Sequence, residues 1–560
     1  MKKYMIAILL TLTILLTSCS ETTPIEENLV DIIDTTDTSE DYSDSDITQE
    51  LDNILLEINE DTINLDKYYD NYLTDVYTEL SSDFSEYTIT TAGVYVLSGT
   101  YTSTVTINVL DDEDVTLILD NVTISVYDGP AILVLNAEDV TITSLPGTDN
   151  LVEDFLLHTL VDTEDYNSAI YSTSDLVFNG SGTLTVNGNY NNAINTKDDL
   201  KIVETNLIVT SVDDGIIGKD YIAISNATIT VDVEGDALSS TNDEATDKGF
   251  IYIESGTLNL TSGADAIEAV NDVLIYGGTF VINSVDSGIE SDTSIYIGGG
   301  DITINSDNDA LNSSNSITIY DGNITITAGD DGIHADTSIT IEGGTINILS
   351  SYEGIEAFEI TINGGTINVT ATDDGINATV GGGQEHGQGY VSTGGYLNIT
   401  GGIIQVNADA DGVDVNGSGT VSGGYLIVFG SSLDSQSSID YDDTFTVTGG
   451  LIVAVGSTGM IQSFSSTSTQ ASLMYADTTS YQSGTSISLI DEDNNVIVAI
   501  DALKAFSGVV ISSDQMVDGS SYTFQVGSET YDFTISSNVT SLGDGGTTQG
   551  EIGGGLPPRR

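Results

Sequence analysis

Apolar and polar residues alternate with a period of two over most of the chain, in short segments bounded by Gly, Asp and Asn. Residues 87–90 read Tyr-Thr-Ile-Thr, residues 115–119 read Val-Thr-Leu-Ile-Leu, and residues 140–143 read Val-Thr-Ile-Thr. Successive side chains of a strand point to opposite faces, so this alternation predicts short β-strands with one buried face.

A turn resembling Asp-Gly-Ile recurs about every 22 residues. Two longer intervals contain insertions, around residues 241–249 and 380–396. Gly-Gly pairs keep the same spacing, from Gly277-Gly278 to Gly449-Gly450. Two markers with one period predict a repeat architecture. The apolar residue of the turn is Ile170, Ile194, Ile216, Leu238, Ile267, Ile289, Leu311, Ile333, Ile355, Ile376 and Val413.

Each repeat contains three short strands and three turns, as in residues 330–348. A unit of this length is too short for a four-stranded propeller blade, and it lacks the helix of a leucine-rich repeat. We therefore predict an all-β fold, a three-sided right-handed parallel β-helix with about 22 residues per coil. A stacked β-sandwich is the alternative.

The two ends of the chain lack the repeat. Leu51, Ile54, Leu55 and Ile58, and later residues 69–80, show a weak helical pattern that suggests one or two cap helices. Residues 487–526 read as antiparallel strands of a C-terminal β-cap, which a solenoid needs at its open end. The expected organisation is a signal peptide at 1–18, a spacer and possible helical cap at 19–83, irregular coils at 84–165, regular coils at 166–460, the β-cap at 461–540 and a disordered Gly-rich tail at 541–560.

The first residues have the pattern of an export signal. Lys2 and Lys3 precede an apolar run over residues 6–16, which ends in Leu-Thr-Ser and Cys19. This order resembles a bacterial lipoprotein signal, with lipidation at Cys19. Cys19 is the only cysteine, so no internal disulfide can form. We expect an extracytoplasmic monomer, attached to the membrane through the N-terminal lipid alone.

Acidic residues dominate the charge, with 87 Asp and Glu against 10 Lys and Arg and a net charge of −77. Nucleic acids and anionic lipid surfaces are therefore poor partners. The hydrophobic content of 39% is nevertheless compatible with a folded scaffold.

Stacking the coils creates two columns of acids, two residues before and one residue after the apolar marker. Like charges about 4.8 Å apart cost about 1 kcal/mol per neighbouring pair even in bulk water. Lysines are too scarce to offset this, and calcium prefers oxygen ligands, so we predict bound calcium. Asx-turns facing solvent would be the alternative role. The candidate ligands are Asp214, Asp236, Asp265, Glu268, Asp309, Asp331, Glu353, Asp374 and Asp411.

A family resemblance rests on an ordered set of motifs. The lipoprotein signal and acidic spacer are followed by Gly-Val-Tyr-Val-Leu-Ser-Gly at 93–99, Pro-Gly-Thr-Asp-Asn at 146–150, the Asp-Gly-Ile coils and a final β segment. Over roughly residues 84–540 this order resembles the secreted carbohydrate-binding β-helix family of clostridial and related bacteria, built like a polysaccharide lyase. The resemblance implies a calcium-containing right-handed β-helix that binds plant-type polysaccharide, cellulose or pectic polymers, without a need for catalysis.

Sugar binding needs flat apolar faces, and the chain has no Trp but 27 Tyr. Tyr276 and Tyr320 fall in one outward column and Tyr252 and Tyr296 in another, so these four are the candidate sugar-stacking residues.

Two other functions stay open. Lys197 and Lys219 lie on neighbouring coils beside acids and could serve a calcium-dependent lyase as the base. A structural surface stalk or adhesin is the non-enzymatic alternative. We expect a non-catalytic polysaccharide-binding protein, and we regard His334 as an isolated surface residue.

Overall fold

The computed structural model describes residues 44–58, 63, 65–69, 76–80, 87–159, 166–380 and 394–545. Cys19, the expected signal peptide, most of the second insertion and the chain after residue 545 lie outside this set. No helix within the described ranges is long and apolar enough to cross a membrane.

The chain forms a right-handed parallel β-helix whose coils carry three strands each, which confirms the predicted fold class. We call its three faces sheets A, B and C. Each strand pairs in parallel with the strand one coil later, so equivalent residues stack: Ile267 pairs with Ile289, and Ile289 with Leu311. The repeat in the sequence is therefore the repeat of the coils.

Sheet A contains the apolar markers of the repeat, and its middle strands are only three residues long. Its strands are Tyr87–Ile89, Val105–Asn108, Ile132–Asn136, Ser168–Ser172, Asn192–Thr196, Ile216–Gly218, Leu238–Ser240, Ile267–Ala269, Ile289–Ser291, Leu311–Ser313, the first part of Ile333–Ile341 and of Ile355–Ile362, Ile376–Ala378, Val413–Val415 and Ile439–Tyr441.

Sheet B follows sheet A in each regular coil. Its strands are Thr78–Leu80, the first part of Gly93–Tyr101 and of Val115–Ser125, Asp139–Ser144, Asp175–Asn179, Leu200–Val203, Tyr221–Ser225, Phe250–Ile253, Val273–Ile275, Ser294–Ile297, Ser316–Ile319, the second part of Ile333–Ile341 and of Ile355–Ile362, Tyr396–Ile399, Ser418–Val421 and Thr444–Val447.

Sheet C completes each coil and leads into the turn before sheet A. It contains the ends of Gly93–Tyr101 and Val115–Ser125, and then Asp149–Glu153, Thr183–Gly188, Asn206–Ser211, Ala227–Val233, Gly256–Ser262, Thr279–Ser284, Asp301–Ser306, Asn323–Thr327, Thr345–Ser351, Thr366–Ala371, Ile403–Ala408, Tyr425–Phe429 and Leu451–Gly456.

The interior is one continuous column of Ile, Leu and Val side chains, nearly all fully buried. The turns between sheets B and C contain the Gly-Gly pairs. The second glycine of each pair has positive φ, as at Gly300 (+107°) and Gly344 (+85°), a conformation that side chains disfavour. Burial of branched apolar side chains explains the strands, and the glycines explain the corners.

The C-terminal β-cap is also confirmed. Four antiparallel strands form a separate sheet in the order Val496–Asp501, Ser486–Asp491, Ser521–Val526 and Glu529–Thr534. The last coil is continued by Phe506–Ser513, which pairs antiparallel with Leu451–Gly456, and then by Ser472–Tyr481 and Val539–Leu542. These pairings occupy the edge of sheet C that the last coil would otherwise leave open.

Among the described residues, one α-helix, Asp44–Ile58, precedes the solenoid, within the segment expected to hold the spacer and possible helical cap. It does not cover an end of the solenoid as a cap helix would. Its apolar residues Ile47 and Leu51 pack on the outer face of sheet B, against Tyr320. A 3-10 turn, Asp66–Tyr68, continues this cover over earlier coils. We call the described residues of this segment, 44–58, 63 and 65–69, the N-terminal strap.

Candidate functional site

The two acid columns come together on one edge of the molecule, at the turn from sheet C to sheet A. Parallel register aligns the second column, where Glu268 pairs with Glu290 and His334 pairs with Glu356. The first column lies in the preceding turn. We call the combined set of acids from Asp214 to Asp414 the carboxylate ridge.

Carboxylates of the first column bridge consecutive coils. The Asp214 Oδ1 accepts the backbone N–H of Asp236 at 3.1 Å, and the Asp236 Oδ1 accepts that of Asp265 at 3.0 Å. Each bond uses one oxygen of the carboxylate and satisfies a turn amide that faces no strand partner. The same bond recurs from Asp265 to Ser287 (2.7 Å), Asp309 to Asp331 (2.8 Å), Asp374 to Asp411 (2.8 Å) and Asp411 to Ser437.

Glu353 replaces the aspartate on one coil, and its longer side chain bonds differently. Its Oε2 accepts the Asn377 Nδ2–H at 2.8 Å, which joins the first column to the second. In the second column, Glu268 Oε2 accepts the Ser239 hydroxyl at 2.9 Å. These bonds link carboxylates of the ridge to turn amides and polar side chains of neighbouring coils.

Burial and mutual repulsion raise the pKa values along the ridge. Burial first, and then the Glu268 carboxyl, raise the pKa of Asp236 to about 8. Burial and the charges of Asp414 and Asp411 raise the pKa of Asp374 to about 8. Burial and Glu353 raise the pKa of Glu356 to about 10. The metal-free ridge thus lowers its own charge by holding protons.

Five further members of the ridge also have raised pKa values, and burial is again the leading cause. Burial raises the pKa of Asp265 and of Asp309 to about 7, and that of Asp411 to about 6. Burial also raises the pKa values of Asp214 and Glu353. These side chains are therefore not the freely solvated Asx-turn residues of the alternative interpretation.

His334 belongs to this network, although the sequence suggested an isolated surface histidine. Its Nδ1 lies 3.1 Å from Asp331 Oδ2, and its Nε2 lies 3.4 Å from Asp336 Oδ1. Burial opposes its protonation, but the hydrogen bond to Asp331 and the surrounding carboxylates raise its pKa to about 9. Its place in the second column, between Asn312 and Glu356, was the signal available in the sequence.

The ridge contains two groups in which three ligand atoms lie within 4.8 Å of one another: Asp331, His334 and Glu356, and Asp374, Asp411 and Asp414. The second offers only carboxylate oxygens, the donors that a hard divalent cation prefers, and burial raises the pKa of Asp414 to about 7. Of the predicted ligands, Asp331, Asp374 and Asp411 fall in such groups. Glu353 lies between these two groups, and the coils before both groups carry Asp214, Asp236, Asp265, Glu268 and Asp309.

A third carboxylate group, Asp175, Asp198 and Asp199, lies in the turn between sheets A and B. The buried Lys201 occupies it, with its Nζ 2.9 Å from Asp175 and 3.2 Å from Asp199. This group therefore already has a cation from the chain. Sequence reasoning did not identify it, because its members come from two coils and belong to neither acid column.

Lys197 and Lys219 stack on successive coils beside this group. The Lys197 Nζ lies 5.5 Å from the centre of the Tyr171 ring. Desolvation and the neighbouring Lys219 ammonium lower the pKa of Lys197. Neither lysine has a carboxylate within ion-pair distance among the described residues.

The four candidate sugar-stacking tyrosines do lie in the two predicted columns. Tyr252 and Tyr296 both align with Leu274. However, the N-terminal strap covers them: Tyr252 and Tyr320 are buried, and Tyr276 and Tyr296 pack among the strap residues. The Tyr276 hydroxyl bonds the Asp52 carboxylate at 3.0 Å. In this arrangement the four rings contact protein and not solvent. The prediction that they form an exposed sugar-stacking surface is therefore wrong.

Known proteins resemble this chain in sequence. A protein-family model described as "Carbohydrate-binding domain-containing protein" matches residues 83–332, 272–395 and 332–549. A protein of that same description from Acetivibrio thermocellus is 36% identical over 133 residues, which is 23% of this chain and 46% of the relative. This chain thus spans about half the length of that relative.

One solved structure is also similar, the gadolinium derivative of a polysaccharide lyase-like protein from C. thermocellum. It is 28% identical, with a TM-score of 0.33, and the match covers 44% of this chain and 90% of that one. The family match extends over most of the chain, from residue 83 to residue 549. The chain belongs to the family of carbohydrate-binding domain-containing proteins.

Proposed function

We propose that this chain is a calcium-stabilised, non-catalytic protein that binds extracellular polysaccharide on the outer face of a bacterial membrane. Membership of the carbohydrate-binding family supports the ligand class. The apolar run that ends at Cys19 supports export and a lipid anchor.

The carboxylate ridge is the observation that supports calcium. Its acids stack on coils about 4.8 Å apart, where repulsion is costly unless protons or cations neutralise it. Burial first, and then neighbouring carboxylates, raise the pKa values of Asp236 and Asp374 in the protein without metal, so repulsion contributes to these shifts. Asp374, Asp411 and Asp414 would hold one ion. A bound calcium would supply positive charge between coils and join their turns.

Recurrence argues for a scaffold role of these acids rather than a catalytic one. An acid/base pair for hydrolysis or elimination is needed once, whereas ridge carboxylates repeat on nearly every coil from Asp214 to Asp414. Their first-column members bond turn amides of the next coil, which is a structural task.

A lysine-base lyase is the second candidate, and the lowered pKa of Lys197 beside Lys219 favours it. An amine must lose its proton to act as a base, which a lowered pKa makes easier. Release of unsaturated products from polygalacturonate, lost in Lys197→Ala, would establish this activity. No product from the intact protein would exclude it for that substrate.

Retention on polysaccharide tests the leading proposal. The purified chain without residues 1–18 is incubated with insoluble cellulose, cross-linked pectin and a bare agarose control, in calcium and in EDTA. We expect retention on polysaccharide in calcium and less in EDTA. Equal recovery from bare agarose and from every polysaccharide would contradict carbohydrate binding and favour a stalk or adhesin that contacts protein.

A further inference from the structure

A groove lies at the N-terminal end of the edge that carries the carboxylate ridge. Its volume is about 460 Å³. It is formed where the first strands of sheet A meet the turns that precede them. The lining residues are Tyr87, Thr88, Thr102, Ser103, Thr104, Thr106, Val126, Tyr127 and Asp128.

The register of sheet A connects the groove with the ridge. Thr88 pairs with Thr106, and Thr106 with Leu133, in the outward column that later contains Glu268 and Glu356. Tyr127 and Asp128 lie in the turn into sheet A, the same turn that holds Asp213 and Asp214 in a later coil, but two residues further from the strand. The same edge therefore changes along its length from hydroxyl and aromatic side chains to carboxylates.

Hydroxyl groups line the floor of the groove. The Thr104 hydroxyl donates to the backbone carbonyl of Pro130 at 2.7 Å. The hydroxyls of Thr88, Thr102 and Thr106 make no hydrogen bond to another residue in the described part of the chain. They can therefore donate to and accept from a ligand without breaking a protein contact.

An exposed aromatic surface borders these hydroxyls. The Tyr127 side chain is 71% exposed and the neighbouring Phe155 is 41% exposed, with ring centroids 6.2 Å apart and planes inclined by 34°. Leu156 and Leu157 extend the exposed apolar surface. The strap-covered tyrosines of sheet B offer no comparable face. Tyr127 thus supplies a rigid ring with few rotatable bonds beside a polar floor.

The charged groups at the groove favour a neutral sugar over a uronate. Among the described residues that line it, Asp128 is the only acid, and both of its oxygens already accept hydrogen bonds from Thr159, at 2.7 Å from the backbone N–H and 2.8 Å from the hydroxyl. The described lining residues include no lysine that could pair with a sugar carboxylate. A uronate would also approach a chain of net charge −77. A neutral ring avoids this repulsion.

We propose that this groove binds a neutral pyranose unit of a polysaccharide, with the sugar ring stacked on Tyr127 and its hydroxyls bonded to the threonine-lined floor. The proposal rests on the carbohydrate-binding function proposed above and identifies where one sugar is held. An apolar peptide segment would match Tyr127, Phe155 and Leu156, but it would leave the floor hydroxyls without partners, so a sugar fits both parts better.

Affinity electrophoresis in gels containing hydroxyethylcellulose, a neutral polymer, or polygalacturonate, a charged one, tests the groove. The variants are Tyr127→Ala, Tyr127→Phe, which keeps the ring, and Tyr396→Ala as a control. Tyr396 is a 50% exposed tyrosine on sheet B. Because exposed side chains are replaced, circular dichroism and melting should stay unchanged in all three.

We expect the hydroxyethylcellulose gel to retard the parent protein, Tyr127→Phe and Tyr396→Ala alike, and Tyr127→Ala to bind at least about tenfold more weakly. Retardation of the parent together with unchanged affinity in Tyr127→Ala would overturn the groove and leave the carbohydrate-binding function standing. Retardation of the parent by polygalacturonate alone would overturn the neutral-sugar assignment. No retardation by either polymer would count against the groove and against the proposed function together.

Discussion

The Asp374 Oδ1 accepts the backbone N–H of Asp411 at 2.8 Å, although 37 residues separate the two positions in the sequence. The second insertion lies between them, yet the bond is the one that joins coils 22 residues apart elsewhere on the ridge. The first acid column therefore continues across an insertion without a break, which indicates that the coil structure, and not local sequence, positions these carboxylates.

Asp374→Asn separates the two roles of this side chain. The amide oxygen can still accept the Asp411 N–H, whereas the negative charge is lost. In EDTA at pH 8 we expect the variant to be at least as stable as the parent, because repulsion from Asp411 and Asp414 is relieved. In calcium we expect it to gain less stability than the parent. Thermal melting in both conditions measures this.

Asp374→Ala is the companion variant, since it removes the acceptor as well and leaves a turn amide unpaired. We expect a loss of about 1–3 kcal/mol in either condition. Asp518→Asn, at an exposed position of the C-terminal region, is the matched charge control. A calcium response of Asp374→Asn equal to that of Asp518→Asn would contradict a role of Asp374 in holding the ion.

The direction of the pKa shifts predicts how the stability of the metal-free protein depends on pH. The folded-state pKa values of Asp236 and Asp374 are about 8, above the usual unfolded value of about 4. A raised folded pKa means that folding takes up protons, so the stabilisation is complete below pH 4 and is lost as pH rises towards 8. Chemical denaturation in EDTA across this range should show the decline.

Repulsion among all the acidic residues of the chain would also lower the stability as pH rises. A variant is therefore needed to identify the contribution of Asp236. Asp236→Asn should flatten part of the decline, whereas Asp518→Asn should not. Calcium should flatten it as well, because ion binding favours the ionised carboxylates. If the protein in EDTA were most stable near pH 8, this result would contradict the raised pKa values of the ridge carboxylates.

Gly298→Ala tests how tightly the N-terminal strap packs on sheet B. A Cβ placed on Gly298 would clash with the Leu51 Cδ1 and lie 3.1 Å from the Ile47 Cγ2, so these side chains must shift, whereas a Cβ on Gly277 has no atom closer than 3.9 Å. We expect Gly298→Ala to weaken the packing of the helix on sheet B and to expose Tyr276, Tyr296 and Tyr320. Faster nitration of tyrosine, followed by peptide mapping, measures this exposure. Gly277→Ala is the control, and equal nitration in the two variants would contradict the packing.

The buried Lys201 offers a test that does not depend on metal. Lys201→Met would leave Asp175 and Asp199 without their cation, and breaking such a buried pair costs about 3–5 kcal/mol. Adding Asp175→Asn and Asp199→Asn to this variant should recover much of the loss. Denaturant unfolding checks both steps. A loss below about 1 kcal/mol in the single variant would show that the group is solvated.

The solenoid could be predicted from the sequence because each coil is specified by a short pattern of residues that recurs in the next coil. Ile267, Ile289 and Leu311 occupy the same position in successive coils, so the period of the markers is the period of the structure. The acid columns followed from the same alignment, since parallel register stacks equivalent residues. The stacking of carboxylates along the ridge is the physical outcome of that register.

Burial by distant segments could not be predicted in this way. The alternation of sheet B placed Tyr252 and Tyr296 outward, which is correct, but outward residues of one element can be covered by another. The strap that covers them begins more than 180 residues earlier, at Asp44, and its helical pattern was weak. Tyr127 is the reverse case, an isolated turn residue whose neighbour Phe155 comes from the next coil.

Thermal melting with calcium and with EDTA tests the central claim, that cations offset the charge of the carboxylate ridge. If calcium binds only the folded chain, an excess of one hundred times the dissociation constant adds about 2.7 kcal/mol per site. We predict a clear rise in melting temperature with calcium, reversed by EDTA and reduced in the double variant Asp374→Asn and Asp411→Asn. An unchanged melting temperature in millimolar calcium and in EDTA would contradict the claim.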